Sequence, residues 1–305
     1  MIIREIDPLN MTNTLTNDIC DSHVHVVGPN ERYPQSEGRL YTAGLATPED
    51  LQAVALPVGV GRYVLVQPSF YGTNNSYVLE SLDVLKGRGR AVVVIDPAAT
   101  CASDWEALHK RGARGARLNL YSKYNPLAPG GLGDVLKRFT DNMPRSGWHI
   151  EVIASFQTVI ESASALADSP IPIVLDHYGL PGDEKPDGEL GRRMLNLLSL
   201  PHVWMKLSAP YRTGNDPLAT KPPSEWLPAL VRVAPDRCVW GSDWPFPPSR
   251  KNQTGKDVSL PYRPIDYQRT LEDFFSALPA AESDMILRDN PARLYGFRPN
   301  QNGNI

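Results

Sequence analysis

Hydrophobic and polar positions along this chain follow a repeating alternation. Short apolar runs rich in β-branched residues, of strand length, are each followed by a loop and then by a stretch whose apolar residues recur at helical spacing. The runs predict strands at 19–25, 62–67, 91–96, 113–120, 149–155, 171–177, 203–208 and 237–243. Helical spacing covers 48–56, 76–85, 103–110, 132–143, 156–167, 189–198, 224–233 and 266–278. Alternating strand–helix units of this number predict an α/β fold, a (β/α)8 barrel formed by a single domain over 1–305, with its core at about 18–298 and short flexible termini. An open doubly wound sheet is the alternative, but no Gly-x-Gly-x-x-Gly follows any of the strands.

The connections point to one working end. Helix-to-strand links are short (59–61, 87–90, 146–148, 199–202), whereas strand-to-helix links are often long (26–47, 68–75, 121–131, 179–188, 209–223, 244–264) and hold most of the 29 prolines. In a parallel barrel the long loops gather at the C-terminal ends of the strands, where catalytic groups sit.

Composition narrows the function classes. At 305 residues with 41% hydrophobic residues, the chain can bury a large core. A net charge of −3 supplies no basic field for nucleic acid or an anionic membrane. An anionic small molecule would have to be met by local cations. Residues 1–17 contain no apolar stretch of signal-peptide length, so a cytoplasmic protein is expected. Cys20, Cys101 and Cys238 lack disulfide or zinc-site spacing and are expected to be buried or inert thiols. A homo-oligomer is compatible with the sequence, which does not indicate one.

The candidate chemistry falls at the strand ends. His23 and His25, spaced i, i+2, share one face of the first strand. His177 ends the sixth strand and Asp243 the eighth, so three imidazoles and a carboxylate enter the same mouth. Such a set can hold zinc or polarise a carbonyl. Asp176, one residue before His177, is expected on the opposite face in a structural role. His149 lies at the far end of its strand, His109 on a helix surface and His202 in a turn. Arg117 sits inside an apolar strand, where an unpaired charge is expensive, so a paired or ligand-binding role is expected. Lys123 and Arg212 follow in loops. Asn119, Gln67, Ser69, Tyr71 and Asn74 are candidate polar lining.

The phrases DSHVHVVGP, GARLNL, LDHYG and WGSDWPFP, together with a terminal DNPARLY, resemble the amidohydrolase superfamily over nearly the whole chain. Within it they are most similar to the branch of sugar lactonases, 2-pyrone-4,6-dicarboxylate lactonase and 4-sulfomuconolactone hydrolase. Binuclear members carry a carboxylated Lys on strand four and a His ending strand five. Here those places hold Arg117 and Asn119, and residues 153–155. The resemblance therefore implies no two-metal centre and no required cofactor, with a single zinc on His23, His25, His177 and Asp243 as the alternative. It implies Asp243 as general base and His23, His25 and His177 as carbonyl-polarising donors. Arg117, Arg212 and Tyr41 match anion-contacting positions of the dicarboxylate lactonase, while Lys123 stands where that family has Arg and Leu180 replaces another Arg.

The expected activity is hydrolysis of an acidic lactone bearing a sulfonate or carboxylate, in aromatic-compound degradation. A zinc-dependent decarboxylase of an aromatic or muconate-type acid and a sugar aldonolactonase are the alternative enzymes. A noncatalytic binding barrel has no use for Asp243 beside three histidines.

Overall fold

The computed structural model describes residues 17–121, 131–249 and 252–297. Eight strands form one all-parallel sheet in chain order: β1 (Ile19–Val24), β2 (Val60–Val66), β3 (Gly89–Val93), β4 (Ala113–Asn119), β5 (His149–Ile153), β6 (Ile173–Leu175), β7 (Val203–Ser208) and β8 (Cys238–Gly241). The sheet closes just beyond β8, where Asp243 N donates to His23 O at 2.9 Å and His25 N to Trp244 O at 2.8 Å. The expected (β/α)8 barrel is therefore the architecture found.

Side-chain alternation explains both faces of the barrel. Ile150, Val152, Ile173, Leu175, Met205 and Leu207 point outward into the cluster shared with helix residues such as Phe139, Ile160 and Leu198. The alternate positions of the same strands point inward. On β2 and β3 these are Val64, Val66 and Val92. On β5 and β7 they include His149, Glu151 and Lys206, which are completely or almost completely buried. The inside of this barrel is thus apolar on one side and charged on the other.

Strand β1 carries an irregularity that aims the histidines. Its register with β2 shifts between Asp21 and Val24. Ser22 Oγ donates to Cys20 Sγ at 3.8 Å, and Cys20 packs with the inward Val64 and Val66. Yet His23 also faces the interior, within 3.7 Å of Glu151. The shift brings two successive residues to one side, as bulges do. Asp21 pins it: Oδ1 accepts from His23 N at 3.1 Å and Ser242 N at 2.9 Å, and Oδ2 accepts from the Tyr267 hydroxyl at 2.9 Å. Gly241 must be glycine at this seam, since a Cβ there would lie 2.7 Å from His23 Cβ.

The predicted helices form with three departures. The first, Pro48–Ala55, shows why the sequence stops and starts where it does: Thr47 and Asp50 make a reciprocal capping box and Pro48 opens the helix. The helix expected over 156–167 divides into Phe156–Glu161 and Ala163–Ala167 at Ser162, whose backbone leaves the helical region; serine is a weak helix-interior residue. An unpredicted helical segment runs from Ala280 to Tyr295, with Pro291 in its last turns masking the periodicity. It delivers Tyr295, fully buried, against the His149 ring at 5.4 Å, closing the barrel end opposite the long loops. The third departure is a parallel pairing of Thr42–Ala43 with Ser259–Leu260, strands too short to show a pattern; it ties together the loops that follow β1 and β8.

Cys20 and Cys238 are buried, and burial pushes both thiols up to about 12. Cys101, expected to be buried or inert, is exposed at the start of the helix Ala102–Lys110. His109 is half-buried against Trp148, at 6.1 Å between rings, rather than on the surface. Among the described residues, no helix is long and apolar enough to cross a membrane.

Candidate active site

The strand ends bring His23, His25, His177 and Asp243 together as expected. The His23 ring lies 5.0 Å from that of His25 and 4.7 Å from that of His177. Asp243 Oδ1 is 3.2 Å from His25 Nε2 and 3.6 Å from His23 Nε2. Two of these residues leave regular backbone: His177 has φ 53° and Asp243 φ 66°. Left-handed backbone at a non-glycine residue costs on the order of 1 kcal/mol, and such strain concentrates at functional sites.

The two oxygens of Asp243 have different surroundings. Oδ2 accepts from the Tyr211 hydroxyl at 2.5 Å and from Arg212 Nε at 2.8 Å. Oδ1 makes no aligned hydrogen bond among the described residues. Burial alone would raise the Asp243 carboxyl, but the charge of Arg212 holds it well below the usual carboxylate range. Burial pushes His23 and His177 well below the ordinary imidazole value, and Lys206 adds to this for His23. These two rings are therefore neutral, beside an ionised carboxylate.

Each imidazole has a partner behind it. His25 Nδ1 is 2.8 Å from the Val66 carbonyl, an acceptor, so that nitrogen carries the hydrogen. His177 Nδ1 meets Ser208 Oγ at 2.8 Å, and His23 Nδ1 meets Lys206 Nζ at 3.2 Å. Partners of this kind set ring orientation and tautomer.

Above the cluster opens a pocket lined by His25, His177, Arg117, Arg212, Tyr41 and Ser69 among others. Asn119 also lines it. His23 and Asp243 are fully buried behind the lining residues His25, His177 and Arg212 that they touch. Arg117 spends one N–H on the Gln67 carbonyl at 2.8 Å, while its Nε is buried without a hydrogen-bond partner among the described residues. Gln67 in turn donates to the backbone of Gly72 and Asn74, so it shapes the loop rather than lining the pocket.

Several expectations need correction. Tyr71 does not line the pocket: its hydroxyl accepts from Gly28 N at 3.0 Å and braces the loop after β1. Arg212 reaches the pocket but commits Nε to Asp243. Asp176 does not face away, because β6 ends at Leu175 and the turn that follows brings Asp176 Oδ1 within 3.4 Å of His23 Nδ1. Lys123 lies outside the described residues. Tyr211 bonds Asp243, and Lys206 and Glu151 lie against His23 from the interior, three contacts absent from the sequence-based expectations. For Lys206 and Glu151 the signal was present, since each is a charged residue inside an apolar run, the same reason that singled out Arg117.

The donor set accommodates a single zinc ion. Ligand atoms of His23, His177 and Asp243 lie within 4.8 Å of one another, a nitrogen and oxygen set that suits zinc. His25 Nε2 and Asp243 Oδ1 lie 3.2 Å apart, so a proton or a cation must sit on or between them. β4 ends at Asn119 and β5 at Ile153, so neither strand end offers a Lys or His to a second metal ion.

Residues 20–297 match the family model described as amidohydrolase. This chain belongs to the amidohydrolase family. The 4-sulfomuconolactone hydrolase of Hydrogenophaga intermedia is 32% identical, over 90% of this chain and 88% of that protein. The 2-pyrone-4,6-dicarboxylate hydrolase of Comamonas testosteroni is 28% identical, over 90% and 89%. The crystal structure of a probable 2-pyrone-4,6-dicarboxylic acid hydrolase from Acinetobacter baumannii, with citric acid bound, superimposes with a TM-score of 0.75 over 92% of this chain and all of that one, at 24% identity. That likeness confirms the barrel.

Proposed function

We propose that this amidohydrolase opens an anionic lactone, a ring ester carrying a carboxylate or sulfonate, in the degradation of aromatic compounds. The observation that carries the reading is the asymmetry of Asp243, with Oδ2 saturated by Tyr211 and Arg212 while Oδ1 faces the imidazoles beneath the pocket. Relatives at 28 and 32% identity, named as hydrolases of a pyrone dicarboxylate and of sulfomuconolactone, support the substrate class.

A water molecule bridging Asp243 Oδ1 and His25 Nε2 would present its oxygen to the lactone carbonyl. As the new C–O bond forms, Oδ1 takes the proton, and the carbonyl oxygen becomes an oxyanion held by N–H groups of His23 and His177. Collapse breaks the ring C–O bond, and Asp243 returns the proton to the leaving oxygen. The carboxyl is a weak base by itself, so much of the rate must come from positioning and from oxyanion stabilisation. Arg117 and Arg212, with Tyr41, Ser69, Asn119 and Lys123, are proposed to hold the anionic substituent.

A single zinc on His23, His25, His177 and Asp243 is the second reading, favoured by the closeness of the ligand atoms of His23, His177 and Asp243 and by the 3.2 Å approach of His25 Nε2 to Asp243 Oδ1. When bound, zinc would polarise the carbonyl and acidify water. The test is a panel of sulfo- and carboxymuconolactones, pyrone dicarboxylate, aldonolactones and aromatic acids, read by proton release, product mass and carbon dioxide, on metal-analysed protein before and after chelation. Ring opening that survives chelation is expected, together with at least about a thousand-fold loss in D243N. Carbon dioxide release restored by zinc would replace this reading with a decarboxylase.

A further inference from the structure

Behind His23 lies a sealed group of charges that the reaction sketched above does not use. Lys206 on β7, Glu151 on β5 and Asp176 after β6 point into the barrel and are at most 2% exposed. Lys206 Nζ bonds Glu151 Oε2, lies 3.8 Å from Asp176 Oδ1 and sits 3.2 Å from His23 Nδ1. Asp176 Oδ1 and Glu151 Oε1 are themselves 3.4 and 3.7 Å from that same nitrogen. Burying charges is costly before they are paired, so a sealed cluster of this kind asks for an explanation.

The ammonium decides what His23 can be. A charged lysine has three donors and no acceptor. At 3.2 Å from Nδ1 it requires a lone pair there, since a hydrogen on Nδ1 would point at the ammonium. The one proton of the neutral ring is then on Nε2, which faces Asp243 Oδ1. Without Lys206, Asp176 and Glu151 would draw the proton to Nδ1 and leave Nε2 as a lone pair, the form that ligates a metal. A lone pair on Nδ1 already means that the ring is neutral.

We infer that Lys206 is a positioning residue that holds His23 in its Nε2–H tautomer, making it a hydrogen-bond donor to the substrate carbonyl rather than a metal ligand. His25 is set the opposite way, because its Nδ1–H is taken by the Val66 carbonyl, which leaves the lone pair of the neutral ring on Nε2. The two rings of the His-x-His pair therefore divide the work: His23 donates to the developing oxyanion and His25 accepts from the attacking water. The tautomer follows from the cluster alone; its catalytic consequence rests on the lactone-hydrolase reading.

The two are separated by experiment. In full-length protein labelled with 15N-histidine, with His23 assigned by its loss in H23Q, two-bond 1H–15N correlations are expected to show Nε2 protonated and Nδ1 bare, with and without added zinc. In K206M the proton is expected to move to Nδ1. On a lactone that the enzyme turns over, K206M should lower kcat by about a hundred-fold, the loss typical of one oxyanion donor, with KM within about threefold. Because K206M leaves Glu151 without its cation, K206M/E151Q provides a second variant expected to show the same tautomer and the same kcat loss. A wild-type His23 protonated on Nδ1, or a folded K206M with unchanged kcat, overturns the inference. If no lactone is hydrolysed while His23 carries its proton on Nε2, the proposed reaction fails and the tautomer assignment stands.

Discussion

The hydroxyl of Tyr211 and Oδ2 of Asp243 are 2.5 Å apart, and Arg212 Nε approaches the same oxygen at 2.8 Å. Tyr211 is 4% exposed, and burial followed by the Asp243 charge raises its own hydroxyl well above the ordinary value, so it remains a donor. The carboxylate is thereby oriented from one side, and its other oxygen faces the chemistry.

Y211F removes that donor and little else. A hydrogen bond to a charged group contributes about 1.5–3 kcal/mol, so kcat is expected to fall about ten-fold or more. The donor favours the ionised carboxylate, so its loss raises the Asp243 value and moves the acid limb of the kcat/KM profile to higher pH. A limb that stays in place, measured between about pH 3 and 8, would remove Tyr211 from the mechanism.

Arg117 is expected to act on binding rather than on the chemical step. R117M should raise KM for a carboxylate- or sulfonate-bearing lactone by about ten- to a hundred-fold, with much smaller change in kcat. An uncharged lactone of the same ring should show little effect of the substitution. Equal losses on both substrates would mean that Arg117 serves the strand rather than the anion.

Stability should decline on mild acidification. Burial holds His23, His149 and His177 below their ordinary values, so the unfolded chain takes up protons below about pH 6.5 that the folded chain refuses. Asp21 works in the opposite sense: burial raises it to about 6, so the folded state gains a proton that the unfolded chain lacks between about pH 4 and 6. The lowered imidazoles outnumber this one carboxyl, so unfolding takes up protons on balance near pH 5. Calorimetry should show Tm highest above about pH 7 and falling through pH 6 and 5. A Tm that is flat or rises over that interval contradicts the neutral histidines.

Much of this was legible in the sequence because the barrel repeats one simple rule. Apolar runs and helical spacing located the strands and most helices, and loop lengths indicated which end works. His23, His25, His177 and Asp243 could be placed in one mouth on that basis alone. What the pattern could not convey depends on departures from regularity. The bulge in β1 breaks the alternation that strand reasoning relies on. The turn after Leu175 brings Asp176 and His177 into one interior, where a continued strand would have set them on opposite faces. Tyr71 was misplaced because a loop residue's direction is fixed by its own hydrogen bond, here to Gly28, and not by periodicity. Lys206 and Glu151 were hidden in runs read for their apolar neighbours.

The seam between the first and last strands has a further consequence. Its two backbone hydrogen bonds are made by His23, Asp243, His25 and Trp244, so the barrel is fastened shut through the backbone of its reactive residues. Assembling the site and completing the fold are then a single event. A folding intermediate with seven strands docked would hold the imidazoles and their acid apart, and turnover during refolding would appear together with the final closure, with no partial activity before it.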